Sequence, residues 1–176
     1  MSETRGVFVL LDVVQNKLGN TWVELSDVWV SPPPPVVSTP NTGYFGGGGT
    51  FGSFRTTMDK VTYASDTTAA VPGANLSVAR ARVAATGNST AGYFGGGWFP
   101  ITAAMDKVTY STDTTAAVPG AKLSVARYGV AATGNSTAGY FGGGGFPTVS
   151  TMDKVTYSSD TTAAVPGAAL SAAPLN

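Results

Sequence analysis

Residues 91–97 read Ala-Gly-Tyr-Phe-Gly-Gly-Gly, and the repetition of this stretch decides the fold. Its Tyr-Phe-Gly-Gly-Gly portion also occurs at Tyr44–Gly48 and Tyr140–Gly144. A second motif, Met-Asp-Lys-Val-Thr-Tyr, recurs with a period of 47 residues, at Met58–Tyr63, Met105–Tyr110 and Met152–Tyr157. Such a period predicts supersecondary units that bury their faces against one another. A feature copied in every unit is more typical of a scaffold than of a catalytic centre.

Each unit contains four short strand-like segments. Val83–Thr86 and Ala91–Phe94 flank a Gly-Asn-Ser-Thr sequence, which predicts a hairpin. Met105–Tyr110 has the composition of a strand, and Ala116–Val118 is a last short strand after a turn. Four short strands joined by tight turns predict an all-β fold made of propeller-like blades.

Tyr93 and Phe94 are adjacent in the second strand of a blade, so their side chains should face opposite ways. Both faces of the strand must then be covered, as they are where a blade has a neighbour on each side. The glycines that follow permit positive φ or close approach of the backbone.

The composition excludes several classes of function. The formal net charge is zero and 11% of residues are charged, so the chain lacks the basic surface expected for binding nucleic acid. It has no cysteine and no histidine, which removes thiol nucleophiles, imidazole bases and the usual zinc ligands. The apolar run Val7–Leu11 is too short to span a bilayer. We therefore expect a soluble protein with no enzymatic activity, cofactor, bound metal or membrane insertion.

Two sets of charged residues recur and have structural interpretations. Asp66, Asp113 and Asp160 are each predicted to bond to the backbone of their own turn, because a lone carboxylate beside two threonines is a poor calcium site. Arg80 and Arg127 are predicted to bond to backbone carbonyls or to an aspartate between blades.

The chain is predicted to have three regions. Residues 1–30 form an N-terminal segment, residues 31–40 a proline-rich linker, and residues 41–176 the repeats, divided as 41–87, 88–134 and 135–176. The first region has apolar residues that thirty residues cannot bury alone, so we expect it to dock on another surface. These docking residues are Trp22, Leu25, Val28 and Trp29.

The copies differ most between the glycines and the methionine, where the sequence is GTFGSFRTT, WFPITAA or GFPTVST. A segment that varies while its flanks stay fixed is not needed for folding, and loops on a rigid scaffold often carry binding residues. Aromatic side chains are typical anchors of such contacts. The candidate binding residues are Phe51, Phe54, Trp98, Phe99 and Phe146.

About three blades are too few to close a propeller, and the Val-Ala-Ala-Thr-Gly strand occurs only at Val83–Gly87 and Val130–Gly134. Uncovered edges favour association. We expect a homo-oligomer in which two copies complete one ring, with Val7–Leu11 or Trp22–Leu25, of the same chain or of a neighbouring one, as donor of the missing strand. The alternative is that the repeats of each chain stack along a trimeric fibre axis.

In order, one unit has Leu-Ser-Val-Ala-Arg, an apolar strand, a Gly-Asn turn, Tyr-Phe-Gly-Gly, Val-Thr-Tyr and an Asp-containing turn. This order resembles the kelch repeat, although the kelch Trp after the turn is replaced by small residues such as Ala69-Ala70-Val71. The glycine pairs that match are Gly46-Gly47, Gly95-Gly96 and Gly142-Gly143.

The Thr/Ala/Gly-rich sequence of the repeats is most similar to that of kelch-like virion proteins of tailed bacteriophages of marine cyanobacteria. That resemblance implies a tail fibre, baseplate or neck appendage, made in the host cytoplasm and assembled with other virion structural proteins. Its N-terminal segment would dock on the virion, and its loops would contact other virion proteins or a host surface receptor. The alternative function is a carbohydrate-binding module that recognises host surface glycans.

Overall fold

The computed structural model describes residues 41–146 and 148–173. The predicted docking residues Trp22, Leu25, Val28 and Trp29 and the predicted strand donors therefore lie outside the described residues, as does the proline-rich linker. The described part is built from three small antiparallel sheets and one two-stranded hairpin. The prediction of an all-β fold is confirmed.

The first sheet, here called blade 1, has three strands in the order β1, β4, β5. They span Thr42–Gly46, Met58–Thr62 and Thr67–Ala70. Between β1 and β4 the chain forms a short hairpin, β2 (Gly49–Thr50) with β3 (Ser53–Phe54), inside the segment that varies among the repeats.

The second and third sheets, blades 2 and 3, each have four strands in chain order. Blade 2 comprises β6 (Ala84–Gly87), β7 (Ala91–Gly95), β8 (Met105–Thr109) and β9 (Thr114–Ala117). Blade 3 comprises β10 (Ala131–Gly134), β11 (Ala138–Gly142), β12 (Met152–Thr156) and β13 (Thr161–Ala164).

The hairpin predicted around Gly87–Thr90 is present, because β6 pairs with β7 from Ala84 opposite Gly95 to Gly87 opposite Gly92. Asn88 closes the turn, since its side-chain oxygen accepts the backbone N–H groups of Thr90 and Ala91. β6 thus belongs to the same sheet as β7, and a repeat boundary between residues 87 and 88 divides a pair of hydrogen-bonded strands.

After the last strand of each blade, a Pro-Gly-Ala sequence forms one turn of 3₁₀ helix, at Pro72–Ala74, Pro119–Ala121 and Pro166–Ala168. Proline suits the first position of such a turn because it has no N–H to leave unpaired. The described part of the chain contains no helix of the length and hydropathy needed to cross a membrane.

The core lies in the two junctions between consecutive blades. Tyr93 packs in the junction of blades 2 and 3, whereas its neighbour Phe94 packs in the junction of blades 1 and 2. The prediction that these side chains face opposite covered surfaces is confirmed. The same alternation places Phe141 of blade 3 in the second junction, where it is fully buried.

One glycine of the repeated motif is required by close packing as well as by its backbone angle. Gly96 has a φ of 69°, and a Cβ atom placed on it would lie 2.6 Å from the carbonyl oxygen of Arg127. The backbone N–H of Gly97 donates to that same carbonyl at 3.0 Å. The end of β7 therefore touches the segment that leads into blade 3.

Candidate functional site

The segments that vary among the repeats are attached to the scaffold by backbone hydrogen bonds. The N–H of Trp98 donates to the carbonyl of Ala81 at 2.7 Å, and the N–H of Ala81 donates back to Trp98 at 3.2 Å. In blade 3, Gly145 and Tyr128 form the equivalent bridge, in which the N–H of Gly145 donates to the carbonyl of Tyr128 with a nitrogen-to-oxygen distance of 2.9 Å. The aromatic residues thus project from fixed positions.

Phe99 and Phe146 occupy equivalent positions and share an unusual backbone conformation. Their φ angles are 63° and 58°, in the left-handed region that side chains other than glycine rarely adopt. Both side chains are largely exposed, at 61% and 71%. Left-handed backbone at a bulky residue costs on the order of 1–3 kcal/mol and is concentrated at functional sites.

Aromatic contacts join loops from different blades. Phe54 of blade 1 stacks on Phe99 of blade 2, with ring centroids 5.1 Å apart and planes inclined by 22°. Trp98 meets the edge of Tyr128 at a centroid distance of 4.3 Å. The guanidinium of Arg82 lies 5.5 Å from the Trp98 ring and 5.3 Å from the Tyr128 ring.

Together these loops form a shallow apolar depression of about 600 Å³. It is lined by Trp98, Phe99, Pro100, Ile101 and Phe146, and none of these side chains carries a charge. We call this depression, together with the adjoining Phe54, the aromatic surface.

The structure brings four of the five candidate residues into the aromatic surface. Phe51 is the exception: it stands in the turn of the β2–β3 hairpin, is 95% exposed, and makes no ring contact within residues 41–146 and 148–173. Sequence reasoning missed Tyr128 and Arg82. A signal was available, because Ala81-Arg82 in one copy corresponds to Tyr128-Gly129 in the next.

Two of the three recurring aspartates, Asp113 and Asp160, bind across the junctions, which corrects the prediction that they bond to their own turns. Asp113 accepts hydrogen bonds from the hydroxyl of Tyr44 and from Nζ of Lys60, both in blade 1, the latter at 2.8 Å. The hydrogen bond from Lys60 holds the pKa of the Asp113 carboxyl below its ordinary value. Asp66, Asp113 and Asp160 each have a φ of 51°, which turns the chain between the last two strands of the blade.

The same arrangement occurs at the second junction. Asp160 of blade 3 accepts hydrogen bonds from Tyr93 and Lys107 of blade 2, with Lys107 at 2.8 Å. Asp66 occupies the equivalent turn of blade 1 and is exposed. In the part of the chain that the structure describes, no group of three or more acidic residues could hold a metal ion.

The arginines behave as the sequence predicted. Nη2 of Arg80 lies 3.0 Å from Oδ2 of Asp106 and donates to the carbonyl of Phe94 at 3.2 Å. Arg127 makes the corresponding contacts with Asp153 and Phe141. Each arginine therefore joins the segment after one blade to the strands of the next.

Comparison with known proteins adds no family to this description. No protein-family model matches the chain, and no curated protein matches it.

Proposed function

We propose that the chain is a virion structural protein with kelch-like propeller blades, a fibre, baseplate or neck appendage of a tailed bacteriophage. In this proposal the blades are a rigid support and the aromatic surface contacts a partner. The N-terminal segment attaches the protein to the particle. The phage assignment rests on the resemblance of the repeats, and the contact role rests on the geometry of the loops.

The observation that carries the contact role is the convergence of the variable loops. Phe54, Trp98, Phe99 and Phe146 come from three blades, yet they lie in one exposed apolar surface. Equivalent loops of stacked repeats are neighbours, but drift in their sequences gives no reason for each of them to place an aromatic side chain on the same surface. A surface that combines several aromatic anchors can bury a large apolar area on a partner.

We propose that the chain binds a partner and does not catalyse a reaction. The chain has no histidine or cysteine. Four of its aspartates are engaged by lysine or arginine at the junctions, namely Asp106, Asp113, Asp153 and Asp160. A carboxylate that is already paired with a cation is poorly placed to act as a catalytic group on a substrate.

The chemistry of the aromatic surface favours an apolar protein surface as the partner, such as another virion structural protein. Its lining offers almost no hydrogen-bonding side chain, whereas sugars need several polar partners besides an aromatic ring. One observation favours the alternative of a carbohydrate-binding module. Arg82, Trp98 and Tyr128 place a cation and two rings side by side, a combination that can stack on a sugar and bind its hydroxyls.

The virion role is tested by raising antibodies against the purified chain and labelling purified phage particles for electron microscopy. Label at a fixed position on the tail, baseplate or neck is expected. Particles that encode the chain but carry no label would overturn the virion assignment.

The contact role is tested with the double variant Trp98→Ser/Phe99→Ser, and with Val78→Ser as a control at an exposed apolar side chain outside the aromatic surface. We expect the double variant alone to lower incorporation into particles or adsorption to host cells. Equal incorporation and adsorption by both variants would contradict this role. A glycan array probed with the unchanged protein separates the two partners, since only a carbohydrate-binding module gives signal there.

A further inference from the structure

The junction of blades 1 and 2 and the junction of blades 2 and 3 are formed by the same types of contact. In each, the blade that comes first in the chain (the earlier blade) and the one that comes second (the later blade) supply different residues. The earlier blade supplies a tyrosine and a lysine, and the later blade supplies a tyrosine and an aspartate. At the first junction Tyr44 stacks on Tyr110 with centroids 5.0 Å apart, and Lys60 lies 2.8 Å from Asp113. At the second junction Tyr93 stacks on Tyr157 at 4.9 Å, and the lysine–aspartate distance is again 2.8 Å.

The apolar contacts follow the same rule. A phenylalanine of the later blade packs against a methionine of the earlier blade and against a leucine that follows it. Phe94 clusters with Met58 and Leu76 at the first junction. At the second junction the corresponding cluster contains Phe141, Met105 and Leu123.

One face of blade 3 is not covered by any described blade. On that face it has the same residue types with which blades 1 and 2 contact the blade that follows them. This trailing face contains Tyr140, Lys154, Met152 and Leu170. Lys154 lies 6.0 Å from the centroid of the Tyr140 ring, much as Lys60 lies 5.8 Å from that of Tyr44. Leu170 is 36% exposed, although its two counterparts are buried.

Blade 1 also has an uncovered face. On that face it has the same residue types with which blades 2 and 3 contact the blade that precedes them. This leading face contains Phe45, Tyr63 and Asp66. Phe45 is 68% exposed, whereas its counterparts Phe94 and Phe141 are 3% and 0% exposed. The φ of Asp66 is 51°, the same as in the two bonded aspartates, so its backbone already has the conformation found at both internal junctions.

We propose that the occupant of each uncovered face is a second copy of this chain, joined with the contacts of the internal junctions. Asp66 of the partner subunit accepts hydrogen bonds from Tyr140 and Lys154. Tyr63 of the partner subunit stacks on Tyr140. Phe45 of the partner subunit packs against Met152 and Leu170. This association goes beyond the proposed function and does not depend on a virion role.

Two features make a second copy the fitting partner. The faces are complementary in charge, with a lysine on one and an aspartate on the other, and complementary in shape, with a protruding phenylalanine opposite a methionine and a leucine. Propellers contain about four to eight blades, and six is the multiple of three in that range. Two copies with three blades each therefore close one ring through two equal head-to-tail contacts.

One contact of the internal junctions is missing between copies, which limits the affinity. The sequence has Pro174 at the position that Arg80 and Arg127 occupy in the other repeats. Asp59, the counterpart of Asp106 and Asp153, thus receives no arginine from this segment of a second copy. The contact between copies should be weaker than the junctions within a chain.

The test is the mass of the full chain in solution, measured by sedimentation or light scattering for the unchanged protein and for two charge reversals. The unchanged protein should have twice the chain mass of 17.8 kDa. Lys154→Asp and Asp66→Lys each place like charges in both contacts, so each should weaken self-association about tenfold or more. Lys122→Asp, a reversal at an exposed position outside both faces, should leave the mass unchanged.

Mixing the two reversed variants provides the decisive measurement. In a mixed pair, one contact regains its native lysine and aspartate, and the other has the same charges exchanged. We therefore expect equimolar Lys154→Asp and Asp66→Lys to restore the double mass that neither variant shows alone. Because Asp66 has positive φ, lysine there costs on the order of 1 kcal/mol; Asp66→Asn, which tolerates this backbone, is the second variant and should also weaken association.

An unchanged protein that remains a monomer at every concentration would overturn the proposal. It would also be overturned by a dimer that both reversals leave intact, which would point to another occupant of the faces, such as residues 1–40. A ladder of larger species would overturn the closure of a ring by two copies.

Discussion

Arg127 and Asp153 form an ion pair from which solvent is completely excluded, with Nη2 of the arginine 2.8 Å from Oδ2 of the aspartate. The same oxygen accepts the backbone N–H of Ser124 at 3.0 Å. Burial lowers the pKa of the Arg127 guanidinium, while the charge of Asp153 acts in the opposite direction. The pair holds the segment between blades 2 and 3 against β12.

Removal of one partner of this pair should destabilise the protein strongly. Arg127→Met leaves the Asp153 carboxylate buried without its counter-charge, and such a change costs about 3–5 kcal/mol. Arg127→Met/Asp153→Leu should recover most of the loss, because two apolar residues leave no buried charge. The free energy of unfolding in urea measures both effects. A double variant as unstable as the single one would contradict this account.

Acid should weaken both junctions between blades. The hydrogen bond from Lys60 lowers the pKa of Asp113. For Asp160, burial acts to raise the pKa, but the hydrogen bond from Lys107 helps to lower it overall. A carboxyl with a lower pKa in the folded state stabilises the fold above the unfolded value, and this contribution is lost as pH falls through the folded value.

The ordinary value for these carboxyls is 3.8, so the free energy of unfolding should decline as pH is lowered below that value. Asp113→Asn/Asp160→Asn should be less stable at neutral pH and should show a flatter decline in acid. Unfolding curves at a series of pH values between neutrality and strong acid provide the measurement. Parallel pH profiles for the two proteins would refute the prediction.

Alkali should destabilise the first junction through Tyr110. Burial beside Tyr44 raises the pKa of its hydroxyl from 10.0 to about 12. The resulting stabilisation is fully present below pH 10 and is lost as pH rises through about 12. Tyr110→Phe keeps the stacked ring and removes the titrating group, so its stability should decline less over this range. Thermal unfolding at increasing pH tests this, and an unchanged slope would argue against it.

The glycine at the end of β7 should not tolerate a side chain. Gly96→Ala places a Cβ 2.6 Å from the carbonyl of Arg127 at a φ of 69°, so we expect a loss of about 2 kcal/mol or more. Gly167→Ala is the matched control, because no atom lies within 4 Å of its Cβ position. Similar unfolding midpoints for the two variants would show that the close approach has no energetic importance.

Local signals in the sequence were sufficient to predict the four strands of blade 2, although they gave no indication of the β2–β3 hairpin in blade 1. The Gly-Asn-Ser-Thr turn fixed the β6–β7 hairpin, and the adjacent Tyr93 and Phe94 required a covered surface on both sides of β7. The fourth strand began earlier than predicted, at Thr114 instead of Ala116, because the turn at Asp113 is tighter than its composition suggested.

Contacts between distant residues could not be predicted in the same way. Asp113 lies 69 residues from Tyr44 and 53 from Lys60, and nothing in its own turn indicates which blade it will face. The convergence of Phe54 and Phe99 likewise depends on how consecutive blades are rotated, which no local pattern encodes. The aromatic residues were identifiable as exposed loop residues, whereas Tyr128 and Arg82 belong to the surface only through packing.

The identity of the two internal junctions has a consequence for how such a gene can change. Since each repeated unit meets its neighbours through the same side chains, duplication or deletion of one whole unit leaves the contacts between the remaining blades of a chain intact. Recombination between near-identical copies would therefore alter the length of the array in a single event while each product still folds. The same recombination could transfer the sequence of one aromatic loop to another unit without any change to the packing between blades.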